Sequence, residues 1–220
     1  PLEALYSLGL NRAENSAVIN TLISAAQNGK KVTVFVELKA RFDEENNMLT
    51  AEKMTQAGIR IIYSIPGLKV HAKVAVIIRK DTREGVQRKH FAYLSTGNFN
   101  EKTAKIYSDI ALLTAQTELV NDINKVFAIL EGRICEATFA HLLVARYNMV
   151  PTLVHMIQRE IEHVKEGRKG RIILKMNGLH DRAMIDELYK ASEQGVEIDL
   201  LVRGICCLIP NQPYSRNIRI

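Results

Sequence analysis

The 220 residues carry a formal charge of +6 and a pI near 9.2, with 47% apolar residues, 6% aromatic residues and no tryptophan. That length allows one large domain or two modest ones with ample core. No apolar run approaches the roughly 20 residues of a spanning helix and no secretory pattern opens the chain, so a soluble protein is expected. The positive charge favours a polyanionic partner, and the shortage of aromatic stacking surface favours a phosphate chain or nucleotide over single-stranded nucleic acid. Cys135, Cys206 and Cys207 lack metal-ligand spacing and read as reduced thiols of a cytoplasmic protein.

Leu2 to Leu10 reads as the first strand and its turn. Asn15-Ser16 is expected to cap a helix in which Val18, Ile19, Leu22, Ile23 and Ala26 keep helical spacing, with Asn28-Gly29 ending it. Val32 to Leu38 is a strand rich in β-branched residues, and Arg41 lies just past its carboxyl end, where open parallel sheets bind ligands. Asp43-Glu44-Glu45 suit the positive end of a helix running to Gln56 and are expected to be solvated or capping. Ile59 to Tyr63 is another strand. Next come the segment Gly67 to Ile78, a charged hairpin loop around Lys80 to Lys89, and strands at Phe91 to Leu94 and Ala111 to Thr114. Leu119, Ile123, Val126, Phe127 and Leu130 mark one face of a helix over Glu118 to Leu130. Cys135 to His141 reads as a linker, and Leu142 to Val144 as a short strand. A long amphipathic helix starts at Asn148 with Leu153, Ile157, Ile161 and Val164 inward. A basic loop then leads to the strand Ile172 to Met176, a helix over Arg182 to Ser192 and a strand over Ile198 to Val202.

The chemistry concentrates in Gly67 to Ile78. An extended strand there puts Lys69, His71 and Lys73 on one face and Val70, Ala72, Val74 and Val76 on the other. Two neighbouring ammonium groups bias His71 toward its neutral, nucleophilic form. Downstream, the polar turn Ser95-Thr96-Gly97-Asn98-Phe99-Asn100 follows a strand and offers backbone N–H groups with Thr and Asn side chains to an oxyanion. Without further context, a half-buried strand with a solvated basic edge would serve as well.

His-x-Lys, then a strand, then a Gly-x-Asn-like turn resembles the half-site of the phospholipase D superfamily. The run Val36 to Asn47, with Pro66 to Lys73, Thr96 to Asn100, Lys102 to Asp109, Arg159 to His163 and Leu201 to Leu208, is similar to the bacterial polyphosphate kinases across nearly the whole chain. The resemblance implies a nucleophile at His71 that takes the terminal phosphoryl group of ATP and passes it reversibly to polyphosphate. Lys73 and Asn98 would hold its oxygens, and Tyr107 and Arg203 fall at nucleotide-binding positions. Arg41 falls at a magnesium-phosphate site, with Arg12 the nearest candidate for its partner arginine; a protonated arginine cannot ligate a metal, so both are expected to touch phosphate beside Mg2+. At Arg12 the local sequence departs from the family pattern, with Asn11 standing where the arginine is expected. His141 and His163 are expected to be packed or surface residues, and the Cys206-Cys207 pair is expected to fill a strand end rather than bind metal. The family also implies a homo-oligomer, in some cases attached peripherally to the inner membrane, with no nucleic-acid partner. A phospholipase D-type phosphodiesterase or nuclease would share the same three residues but pass phosphorus to water. A basic nucleic-acid-binding module is the non-enzymatic alternative.

The chain also repeats itself. Ala17 falls on Ala183, 166 positions later, and the same offset brings Leu22 onto Leu188, Gly29 onto Gly195 and Val32 onto Ile198. The expected architecture is therefore a duplicated phospholipase D-like α/β domain, mixed sheets flanked by helices. Residues 1–138 form the first copy and residues 139–220 the start of a second, truncated before its own histidine strand. Such a fragment is expected to be inactive alone.

Overall fold

A computed structural model describes residues 2–8, 16–37, 44–63, 67–79 and 90–220, grouped in two units, Pro1–Leu142 and Leu143–Ile220. In the first, β1 (Leu2–Leu8), β2 (Lys31–Val36) and β3 (Arg60–Tyr63) are parallel, joined through α1 (Ala17–Gln27) and α2 (Glu44–Gln56). The chain then returns antiparallel through β4 (Lys73–Arg79), β5 (Phe91–Ser95) and β6 (Ala111–Thr114), and α3 (Thr117–Leu130) follows. The sheet order is β3-β2-β1-β4-β5-β6. A parallel strand covered on both faces reads as a nearly continuous apolar run, and Val32 to Val36 has that character except for the buried Thr33. Val32, Val34 and Val36 pack with Ile19, Leu22 and Met54 under α1 and α2; Phe35, pointing the other way, packs with Val76, Ile123 and Phe127 under α3.

The second unit has α4 (Met149–Lys165), then β7 (Arg171–Met176), α5 (Arg182–Glu193), β8 (Glu197–Val202) and β9 (Ile218–Arg219) in a parallel sheet of order β7-β8-β9. The 166-residue frame carries into the packing: Ile19 and Leu22 on α1 are buried, and so are Ile185 and Leu188 on α5. Gly29 and Gly195 both end their helices at positive φ, 72° and 93°, a conformation that costs any residue with a Cβ.

Four expectations are corrected. Residues 68–72 are irregular and the strand begins only at Lys73, so the alternation of faces fails: Ala72 is exposed and Lys73 is buried. The strand expected over Leu142 to Val144 does not form, because its amides bond side chains: Leu142 N–H donates to Asp122 Oδ2 and Val144 N–H to Asn148 Oδ1. Ser16 occupies the N-cap of α1 but its hydroxyl makes no cap bond; Glu101, from far along the chain, accepts the Ala17 N–H at 2.8 Å instead. Cys206 does not fill the end of β8, which stops at Val202; it lies in the loop beyond, bridged to Leu179. Arg12, Arg41, the loop over Lys80 to Lys89 and the side chains of Glu44 and Glu45 lie outside the described residues.

Candidate active site

The carboxyl ends of β1 and β2, the start of β4 and the end of β5 meet at one edge of the first sheet. Leu8 pairs with Val36, and Lys73 pairs with Ser95. That pairing sets the loop carrying His71 beside the turn Thr96 to Asn100, so His71, Lys73 and Asn98 fall in one neighbourhood although 27 residues separate the first from the last (71 to 98). In the sequence, Arg12 comes four residues after β1 and Arg41 five residues after β2.

His71 is exposed; Lys73 is 3% exposed and turned back under it. The Lys73 Nζ donates to the His71 carbonyl at 2.6 Å and lies 2.9 Å from the His71 Nδ1. Burial, then the charges of Lys73 and Lys69, hold the His71 imidazole below its ordinary pKa, so it is neutral at physiological pH. Burial also brings the Lys73 ammonium down to about 8, with the Asp109 charge pulling the other way. A neutral imidazole carries one nitrogen lone pair, which is what a nucleophile for phosphorus needs.

Three carboxylates fix the loops around this pair. Glu37, buried at the end of β2, accepts the Val70 N–H at 2.9 Å and anchors the histidine loop. Asp109 accepts the Thr96 hydroxyl at 3.0 Å, and that hydroxyl accepts the Ile110 N–H at 3.1 Å, clasping the turn. Gly97 leaves room for that carboxylate, since a Cβ would stand 2.6 Å from Asp109 Cγ. Glu101 ties the far side of the turn to α1 through Ala17 and Ser16. Its own amide, with those of Ala17 and Val18 and the Ser16 hydroxyl, outweighs burial and holds its carboxyl below the ordinary range. None of the three received a role from sequence reasoning. The available signal was Glu37 itself, a carboxylate closing an otherwise apolar strand.

The other expected residues are more dispersed. Asn98 is half-buried in the turn, and its carbonyl accepts the Asn100 N–H at 2.8 Å. Tyr107 is half-exposed just past the 3-10 turn Thr103–Lys105. Arg203 belongs to the second unit, where its Nε donates to Asn177 Oδ1 at 2.7 Å. His163 pairs with Glu160 on α4, and His141 gives its backbone N–H to Asp122, both structural uses. A cavity of about 570 Å³ in the second unit is lined mainly by apolar side chains such as Leu153, Met156, Ile157, Leu174 and Met184. Among the described residues no group of three His, Cys, Asp or Glu side chains stands ready to hold a metal ion. Glu37 and Asp109, the carboxylates bonded into the loops that carry His71 and Asn98, already serve Val70 and Thr96, so the described residues do not fit a protein-held magnesium site.

Residues 4–136 match the family described as Polyphosphate kinase C-terminal domain 1, and residues 142–220 match Polyphosphate kinase C-terminal domain 2. The polyphosphate kinase of Escherichia coli K12 is 48% identical over 208 residues, 94% of this chain and 30% of the relative; that of Synechocystis is 47% identical over 207 residues, 94% and 28%. The crystal structure of polyphosphate kinase from Porphyromonas gingivalis superposes with a TM-score of 0.87 at 58% identity, covering 99% of this chain and 36% of that one. The chain thus spans about 30% of the length of these curated relatives.

Proposed function

The chain belongs to the polyphosphate kinase family, and on that premise we propose that it carries the phosphoryl-accepting centre of an ATP:polyphosphate phosphotransferase, with His71 as the nucleophile. The observation that carries this reading is the neutral, exposed imidazole of His71 beside a buried lysine at the ligand-binding edge of the sheet. A lone pair of the imidazole attacks the γ-phosphorus of ATP, an N–P bond forms, and the bond from that phosphorus to the bridging oxygen breaks, its electron pair leaving with ADP. The terminal oxygen of a polyphosphate chain then attacks the phosphohistidine, the N–P bond breaks and the imidazole returns. Imidazole attacks and leaves well near neutral pH, which suits a reversible two-step transfer.

Transfer of this kind depends on positioning and on neutralising charge on the nonbridging oxygens. Asn98 and the amides of the clasped turn suit those oxygens, and Arg12 and Arg41 complete the cationic surroundings on the family pattern. Tyr107 and Arg203 are assigned to nucleotide. Magnesium enters only as the counter-ion of the phosphates, and no described residue is assigned to it. The matching β-α-β order and the shared 166-residue frame support reading residues 1–138 and 139–220 as two phospholipase D-like copies. Among the described residues no helix is long and apolar enough to cross a membrane. A cytoplasmic setting, self-association and peripheral attachment to the inner membrane accompany the family and belong to the same proposal. The comparisons do not favour a diesterase or a nucleic-acid-binding module.

Incubating the intact protein with γ-labelled ATP tests the reading. An acid-labile, base-stable label on His71 that disappears in His71→Gln is expected. Label that survives the substitution, or none at saturating ATP, would overturn it.

A further inference from the structure

We propose that Lys73 acts through His71 as a positioning residue, deciding by its own proton which imidazole nitrogen presents a lone pair, so that the two side chains form one proton-linked unit. The proposal rests on the reading of His71 as the nucleophile and deepens it.

The geometry leaves few choices. Lys73 Nζ lies 2.9 Å from Nδ1 and 2.6 Å from the carbonyl of the same residue, so the ammonium is spent on His71 rather than aimed outward. A protonated lysine has three donors and no acceptor, and a neutral imidazole has one donor nitrogen and one acceptor nitrogen. While Lys73 is charged, Nδ1 must accept from it and the ring proton sits on Nε2. The lone pair that could attack is then covered by Lys73, and the nitrogen facing away carries a hydrogen. When the pair releases one proton to solvent, Lys73 becomes an amine that accepts Nδ1–H while another of its N–H bonds still holds the carbonyl. The lone pair then appears on Nε2, the nitrogen turned away from Lys73.

The surroundings place this exchange in an accessible range. Lys73 is 3% exposed, and burial lowers its ammonium to about 8. Among the described residues, the charged groups around the pair are Lys69 on the same loop, Glu37 at the end of β2, bonded to the Val70 amide, and Asp109 ahead of β6, bonded to Thr96. Lys69 disfavours a second proton on the ring, and Asp109 favours the charged lysine. Lys73 therefore balances between its two forms, unlike an exposed lysine.

Two readouts test the unit in the intact protein. The ring nitrogens of His71, labelled with nitrogen-15 and assigned by difference from His71→Gln, should report a proton on Nε2 at pH 6.5 and a lone pair on Nε2 at pH 9. In Lys73→Arg, whose guanidinium cannot accept, the proton should stay on Nε2 throughout. The rate of label transfer from ATP to His71 should rise about tenfold per unit of pH below the exchange and level off above it. Lys73→Gln, which has no charge to lose, should remove that rise. A tautomer that does not change between pH 6.5 and 9, or a rise kept in Lys73→Gln, overturns the proposal. If the nitrogen signals change as expected but no label ever reaches His71, the pair stands and the assignment of the nucleophile falls.

Discussion

Replacing Lys73 by Met should make the first unit more stable at neutral pH, by an amount that shrinks as the solution is made alkaline. Lys73 is an almost fully buried cation whose pKa falls from 10.5 to about 8 on folding. Between those values the unfolded chain holds a proton that the folded chain has released, so stability rises with pH across that window, and the cost of the buried charge is complete below it. The difference corresponds to about 3 kcal/mol at pH 7 as an upper value; access of water to the pair through the exposed His71 ring screens it to about 1–3 kcal/mol. At pH 10 the folded lysine is already neutral and less than about 1 kcal/mol of that cost remains. Met keeps the length and apolar stem of the side chain but gives up the donor to the His71 carbonyl, a loss of about 1 kcal/mol felt at every pH. The informative quantity is therefore the change in the stability gap between mutant and wild type from pH 7 to pH 10, expected to be about 1–2 kcal/mol in favour of the mutant at the lower pH. Urea unfolding of the intact protein, followed by amide exchange in β4 and β5, measures it. A gap independent of pH would refute the premise that Lys73 is held as a strained, buried cation.

Gly97→Ala should push the Asp109 carboxylate off the turn, break its bond to the Thr96 hydroxyl and lower stability by about 0.5–1.5 kcal/mol, while the alkaline rise of His71 labelling shifts to lower pH as Lys73 loses its nearby anion. In Gly170→Ala the new Cβ would stand 2.5 Å from the backbone oxygen of Glu160 and 2.7 Å from Val164 Cγ2. The carbonyl cannot rotate away, so the second unit should lose about 1–3 kcal/mol in thermal unfolding. Asp122, 1% exposed, accepts the amides of His141 and Leu142 and the Lys125 ammonium; burial raises its carboxyl, and these donors more than reverse that. Asp122→Asn turns an amide against one of these donors and should cost about 1.5–3 kcal/mol at pH 7 in urea titrations. In wild type the same contribution should persist above pH 3.8 and be lost as the pH falls below it.

The parts of the fold that depend on periodicity were legible. The stripe Leu119, Ile123, Val126, Phe127, Leu130 placed α3 within one residue of its observed start, and the repeat frame paired α1 with α5 before either was seen packed. β9 was not legible: two residues make no pattern, and Ile218-Arg219 is a strand only because it pairs with Ile198 and Asp199 of β8. For the site, residue types and spacing pointed to His71, Lys73 and the Asn98 turn. The direction of the Lys73 side chain was not readable, because strand alternation assigned it to a solvent face that it does not occupy.

Both misplaced strands fail for one physical reason. A stretch becomes a strand when its amides and carbonyls bond a neighbouring strand, and β-branched composition only makes that outcome favourable. Before Lys73, the Val70 amide is taken by Glu37, 33 residues earlier, and the His71 carbonyl by the Lys73 ammonium. At the other misplaced strand, the Leu142 amide is taken by Asp122 and the Val144 amide by Asn148. Side chains that capture backbone groups hold an irregular conformation without leaving them unsatisfied, an alternative that propensity does not register. At His71 the capture has a chemical consequence. A residue inside a strand would have its backbone tied to both neighbours and its side chain set by the pleat. Released from the ladder two residues early, His71 stands exposed at the sheet edge while Lys73, the first residue of β4, stays buried beneath it and reaches back to its carbonyl and ring. The exposed imidazole and its buried partner therefore both follow from where β4 begins, and Glu37 is the residue that holds the segment off the sheet.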